Sequence, residues 1–94
     1  MNPQELILKV AQAIVDLASE QGPESLGHLE LLTDGEVNLN PEELEHPSQL
    51  AEKLAQTQAF QRVDLKRAQQ WAQQKTKDRD WQEQAESLLP SASL

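Results

Sequence analysis

LELLTDGEVNLNPEELE, residues 29–45, is the stretch of the sequence on which the choice of fold depends. It contains the clearest tight-turn signal of the chain, Asp34-Gly35, followed by a helix-start pattern, Asn40-Pro41-Glu42-Glu43. It also contains six carboxylates and no lysine or arginine. These acids are Glu30, Asp34, Glu36, Glu42, Glu43 and Glu45. The path of the chain here therefore determines both the fold class and the position of much of the negative charge.

Residues 28–40 alternate between apolar and polar side chains, which predicts a β-hairpin. If residues 33–35 form a three-residue loop, Leu31 faces Val37 and Leu29 faces Leu39. The opposite face is then polar except for one leucine, and it holds His28, Glu30, Leu32, Glu36, Asn38 and Asn40. A two-residue loop would mix the two faces. This interpretation gives a small, mainly helical α+β domain of three to four short helices with one hairpin.

The alternative interpretation of the same stretch is a helix, which would make the protein an all-α bundle. Three leucines recur at a spacing of three residues, namely Leu26, Leu29 and Leu32. Gly35 could end such a helix, since glycine favours the left-handed conformation found at helix C-termini. Gly27 argues against it, because glycine inside a helix costs about 1 kcal/mol relative to alanine. The coherent apolar face therefore favours the hairpin.

The first part of the chain predicts one amphipathic helix over about residues 3–20. Asn2 suits the N-cap, and Pro3 suits the first helical position. Gly22-Pro23 ends the helix. The buried face is expected to contain apolar residues at three- and four-residue spacing, with neighbours that widen the stripe. These residues are Leu6, Ile7, Val10, Ala11, Ala13, Ile14, Leu17 and Ala18.

The second half predicts short helices. Pro47 starts a helix over about residues 47–57, and Phe60 anchors the connection that follows. Asp64 caps the next helix, over about 64–76, and another helix is expected over 80–89. One continuous helix over 64–89 is the alternative, because no glycine or proline interrupts it. We expect a single domain over 1–89 and a disordered tail over 90–94.

The charge is distributed unevenly along the chain. The net charge is −8; residues 1–45 contain ten acidic residues and one lysine, whereas residues 46–94 contain seven basic and six acidic residues. An acidic half repels nucleic-acid phosphates and attracts basic surfaces. We therefore expect a protein partner with a basic surface and no nucleic acid. Solubility, and attraction between the two halves, would explain the same asymmetry without a partner.

Motifs for catalysis, metals and cofactors are missing from the sequence. An EF-hand loop centred on Gly35 would place Leu32 and Pro41 at ligand positions, where neither offers a side-chain oxygen. His28 and His46 are far apart and have no cysteines to complete a zinc site. There is no G-x-S-x-G motif and no phosphate-binding glycine loop. We expect no catalytic residue, no cofactor, no metal and no enzymatic activity.

The absence of cysteine, of a signal-peptide pattern and of an apolar run of 18 residues predicts a cytoplasmic protein that does not enter a membrane. The leading hypothesis is a small acidic, non-enzymatic interaction or regulatory module, a small subunit or adaptor. An acidic inhibitor, an antitoxin-like neutraliser that mimics phosphate, is one alternative, and a homo-oligomeric scaffold is another. The residues expected to bind the partner are Glu30, Asp34, Glu36, Asn38, Glu42, Glu43 and Glu45.

Overall fold

Five α-helices and one 3₁₀ helix form the part of the chain that the structure, a computed structural model, describes: residues 2–74 and residue 85. The α-helices are α1 (Pro3–Gln21), α2 (Ser25–Leu32), α3 (Pro47–Ala55), α4 (Gln58–Gln61) and α5 (Leu65–Gln74), and the 3₁₀ helix is Pro41–Glu45. No β-strand occurs within these described residues. The all-α alternative therefore fits, and the predicted hairpin over 28–40 is wrong.

Helix α1 is the central element of the bundle, and its prediction over about 3–20 is confirmed. Asn2 caps it, since Asn2 Oδ1 accepts a hydrogen bond of 2.9 Å from the backbone N–H of Gln4. Gly22 ends it at φ +92°, a conformation open to glycine. Its buried face is rotated slightly from the predicted one, because Val15 is fully buried whereas Ala13 and Leu17 are only half-buried.

The other helices pack around α1, chiefly α3 and α5 and to a smaller extent α2 and α4. Pro47 begins α3, and Asp64 Oδ1 caps α5 by accepting from the N–H groups of Lys66 and Arg67, as predicted. Phe60 is fully buried and lies in α4, which confirms its role as an anchor. Ala85 is helical and fully buried in the same core.

Helix α2 occupies the place of the first predicted strand. Its burial follows a helical period, since Leu26, Leu29 and Leu32 are buried while Leu31 is 70% exposed. Leu31 was expected in the core of the hairpin and Leu32 on its polar face, so both assignments are wrong. In a strand, neighbouring residues point to opposite faces, whereas a helix brings together residues three and four apart.

Helix α2 ends in a left-handed motif built on Asp34-Gly35. Asp34 has φ +55° and Gly35 has φ +74°. The N–H of Gly35 bonds to the carbonyl of Glu30, and the N–H of Asp34 bonds to that of Leu31, as in a Schellman motif. The turn signal recognised in the sequence is therefore the end of a helix and not the tip of a hairpin.

The acidic connector, which we define as residues 33–46, joins α2 to α3 and contains the 3₁₀ helix. Leu39 is buried, and Val37 and Leu44 are half-buried against the core. The prediction that Val37 and Leu39 pack inward thus holds, although neither lies in a strand. Pro47 interrupts the helix before it, since His46 has φ −125° and ψ +69°.

Three sequence predictions lie wholly or partly outside the described residues. Helix α5 agrees with the helix expected over 64–76 as far as residue 74. The helix over 80–89, except for Ala85, and the tail over 90–94 are not described, and neither is the choice between one and two helices over 64–89. Among the residues that are described, no helix has the length and apolar character needed to cross a membrane.

Candidate functional site

The acidic residues predicted to bind a partner have two different roles in the fold. Glu30, Glu36 and Glu43 each accept a hydrogen bond from a backbone N–H group. By contrast, Asp34, Glu42 and Glu45 are exposed, and their carboxylates make no hydrogen bond or ion pair with residues 2–74. The first group stabilises the fold, and only the second is free to meet another molecule.

Glu30 and Glu36 hold the connector at two separate points. Glu30 Oε1, from α2, accepts from the N–H of Leu39 at 2.8 Å. Glu36 Oε2 accepts from the N–H of Gln58 at 2.8 Å, and Gln58 is the first residue of α4. A carboxylate at a helix N-terminus satisfies an N–H group that has no partner within the helix. Glu36 thus attaches the connector to α4.

Glu43 is the most strongly engaged of the predicted residues. Its Oε2 accepts from the N–H of Asn40 at 2.8 Å, and its Oε1 lies 2.9 Å from Lys53 Nζ, which comes from α3. The hydrogen bond from Lys53, and then that from Asn40, hold the pKa of the Glu43 carboxyl below its ordinary value. Lys53 Nζ also donates to the carbonyl oxygen of Asn38 at 3.2 Å. Lys53 of α3 therefore contacts the connector at two residues, Asn38 and Glu43.

A groove of about 610 Å³ lies between the 3₁₀ helix and α3. Its lining is mainly polar, with one buried leucine, and consists of Asn40, Glu42, Glu43, Glu45, His46, Gln49, Leu50 and Lys53. In a 3₁₀ helix, residues three apart lie one above the other at a rise of about 2 Å per residue. A regular 3₁₀ helix therefore places residues 42 and 45 on the same side, about 6 Å apart along its axis. Both Glu42 and Glu45 line the groove.

A second, smaller recess of about 300 Å³ contains the other end of the connector. Its lining is Thr33, Asp34, Glu36, Gln58, Ala59 and Arg62. Here the exposed Asp34 shares the recess with a basic residue, Arg62, which reduces the local negative charge. The structure thus places Glu42, Glu43 and Glu45 around one groove and Asp34 and Glu36 around another recess. Glu30 and Asn38 line neither of the two.

Sequence reasoning missed the residues on the other side of the groove, which are His46 at the end of the connector and Gln49, Leu50 and Lys53 of α3. The helix-start pattern at Asn40-Pro41 and the proline at 47 indicated two consecutive helical segments. They did not indicate the angle between the segments, which creates the groove. Among the described residues, no group of three or more His, Cys, Asp or Glu side chains is arranged to hold a metal ion.

Comparisons with protein-family models, with curated proteins and with solved structures gave no significant match.

Proposed function

We propose that the protein is a small non-enzymatic interaction module of the cytoplasm that binds a basic segment of a partner protein in the groove between the 3₁₀ helix and α3. The observation that supports this most directly is that two exposed acidic residues, Glu42 and Glu45, line that groove. Neither carboxylate is neutralised by a residue within 2–74. Two such charges would receive lysine or arginine side chains of a partner.

The chemistry of the lining favours a peptide segment as the occupant. Leu50 also lines the groove but is only 2% exposed, so the surface that the groove offers comes from its charged and polar residues. Gln49 and His46 add hydrogen-bonding groups at its rim, and both are exposed. The charged ends of an extended basic segment match the carboxylates of such a surface, and its backbone can hydrogen-bond to the polar side chains. Complementary charge of this kind raises association rates and makes binding sensitive to salt.

The proposed binding set is smaller than the seven residues expected from the sequence. Glu30, Glu36 and Glu43 are engaged within the fold, and removing a partner from such hydrogen bonds costs stability as well as charge. A partner would therefore meet Glu42 and Glu45 first. The acidic-neutraliser hypothesis has less support, because it needs a contiguous carboxylate face and half of the six acids of residues 29–45 are turned to backbone N–H groups.

The test is a titration of the isotope-labelled chain, followed by amide chemical shifts, with a short lysine- and arginine-containing peptide at low salt. We expect shift changes centred on Glu42, Glu45, His46 and Gln49, and we expect them to weaken as salt is added. The E42Q/E45Q variant should bind the peptide at least about tenfold more weakly, because two charge contacts are lost.

The matched control is E5Q/E20Q, which removes two exposed carboxylates from α1 and changes the net charge by the same amount. It should bind the peptide as the unmodified chain does. Equal weakening in both variants, or shift changes spread over all exposed acids, would show that the attraction is only a property of the net charge.

Light scattering of the free chain tests the homo-oligomeric scaffold, which predicts a mass above that of a monomer.

A further inference from the structure

We infer that the acidic connector is a strap closed by three glutamates, and that it opens at acid pH while the helical core stays folded. The strap spans residues 33–46, and the glutamates that close it are Glu30, Glu36 and Glu43. This opening would be a property of the chain alone, whether or not the groove binds a partner.

The three closing contacts join the connector to three different elements. Glu30 reaches from α2 to Leu39, Glu36 reaches from the connector to the start of α4, and Glu43 pairs with Lys53 of α3. The contacts from Glu30 and Glu36 span nine and 22 residues of sequence. Each acceptor is a carboxylate, and charged acceptors form stronger hydrogen bonds than neutral ones. Protonation would weaken all three contacts within the same acid range.

Apolar burial holds the connector only weakly. Leu39 is its one buried hydrophobic residue, and Val37 and Leu44 are half-buried. The 3₁₀ helix contains no buried residue. In α1, by contrast, seven residues are buried, and their apolar contacts do not depend on pH. Segments with few buried apolar contacts are those that open locally at a free energy below that of global unfolding.

Some charged groups around each glutamate favour its ionised form, and others favour its protonated form. Lys53 favours the ionised form of Glu43, whereas Glu42 and Glu45 at the same groove favour its protonation.

Glu36 shares its recess with Arg62 and Asp34, which act in opposite senses. No lysine or arginine of residues 2–74 lies within 4.0 Å of the Glu30 carboxylate. Each closing contact therefore has a different charge environment.

The experiment follows backbone amide signals of the labelled full-length chain from pH 7 to pH 3. The amide protons of Leu39, Gln58 and Asn40 should shift as their acceptor carboxylates gain protons. In E30Q the titration of Leu39 should disappear while that of Gln58 remains, and E36Q should give the reverse result. E42Q and E45Q, which alter exposed carboxylates of the same segment, should leave the titrations of Leu39 and Gln58 unchanged.

Hydrogen exchange on the same samples tests the opening itself. Between pH 7 and pH 4, after correction for intrinsic exchange, protection of the Leu39 and Gln58 amides should fall at least tenfold, and that of Val10 and Ile14 in α1 should not. If α1 loses protection together with the connector, the transition is global unfolding and the strap is refuted. If the Leu39 and Gln58 amides titrate in E30Q and E36Q as they do in the unmodified chain, the assignment of the closing contacts is refuted. Because the chain is free in these measurements, their outcome is separate from that of the peptide titration.

Discussion

The ion pair between Lys53 and Glu43 shows how a single residue of α3 positions the groove. Lys53 Nζ contacts both the Glu43 carboxylate and the Asn38 carbonyl, although its side chain is 40% exposed. Exposed pairs contribute little, about 0–1 kcal/mol, because water already solvates both charges. The pair therefore fixes the geometry of the groove more than it stabilises the protein.

Replacing Lys53 should have a small effect that depends on pH. At pH 7, K53Q should lower the free energy of unfolding by about 0.5–1 kcal/mol. The folded-state pKa of Glu43 lies below its ordinary value of 4.5. The stabilisation is therefore complete above that value and is lost as pH falls through the lower, folded-state pKa. Urea unfolding of both proteins from pH 7 to pH 3 should show the difference shrinking.

The matched control for K53Q is K9Q, which removes an exposed lysine of α1 and changes the net charge equally. Its effect should be smaller at pH 7 and should not follow the titration of Glu43. A K53Q effect of the same size at both ends of the pH range would contradict the ion pair as its cause.

Two glycines of the same region should respond to alanine in opposite directions. Gly27 lies inside α2 and Gly35 has φ +74°, and a Cβ atom would meet nothing within 4 Å at either position. G27A should raise the free energy of unfolding by about 0.5–1 kcal/mol, because alanine is the better helix former. G35A should lower it by about 1–2 kcal/mol, because alanine resists the left-handed conformation. Thermal unfolding midpoints that move in the same direction would contradict this.

At the level of elements, the sequence predicted where helices start and end better than it predicted whether residues 28–40 form a helix or strands. Pro3, Pro47 and Asp64 have local effects that do not depend on tertiary contacts, and each starts or caps a helix as predicted. Helix α2 was considered but ranked behind the hairpin, because its leucines satisfy both the period of two and the period of three to four. Tertiary burial of Leu32 and Leu26 against α1 decides between the two, and this burial is not visible in eight residues of sequence.

A comparison of two adjacent leucines tests the helical assignment of α2. Leu29 is fully buried and Leu31 is 70% exposed. L29A should lower the free energy of unfolding by about 2–5 kcal/mol, as for other buried leucines, and L31A should change it by less than about 0.5 kcal/mol. In the hairpin both side chains would face the core and both substitutions would be costly. Urea unfolding of the two variants therefore separates helix from hairpin.

For the molecule as a whole, the sequence predicted that residues 29–45 are acidic but not how the acids are used. Glu36 and Gln58 are 22 residues apart, and their contact depends on the path of the whole connector. The same holds for Lys53, whose distance from Glu43 is set by the angle between the 3₁₀ helix and α3. Counting charged residues predicts the sign of the charge on a surface. Only the folded structure shows which carboxylates are hydrogen-bonded within the protein and which are free.

The charge asymmetry of the chain was also expected to produce attraction between its two halves. Within residues 2–74, only one ion pair joins the acidic first 45 residues to the rest, Lys53–Glu43, since the other pair, Arg67–Asp64, lies within the second half. A net charge of −8 on a chain of 94 residues then acts mainly as repulsion. Such repulsion destabilises the compact state, and salt screens it.

Sodium chloride should therefore stabilise the protein at neutral pH. Raising its concentration from 10 to 500 mM, which shortens the screening length from about 30 to about 4 Å, should raise the urea midpoint. The E42Q/E45Q variant should be more stable than the unmodified chain at low salt and should gain less from added salt, because two of the repelling charges are absent. E5Q/E20Q removes two charges from α1, so comparing the two variants shows whether repulsion is concentrated at the groove. A urea midpoint that falls as salt is added would contradict this prediction. It would mean that attraction between the two halves of the chain outweighs repulsion among the acidic residues.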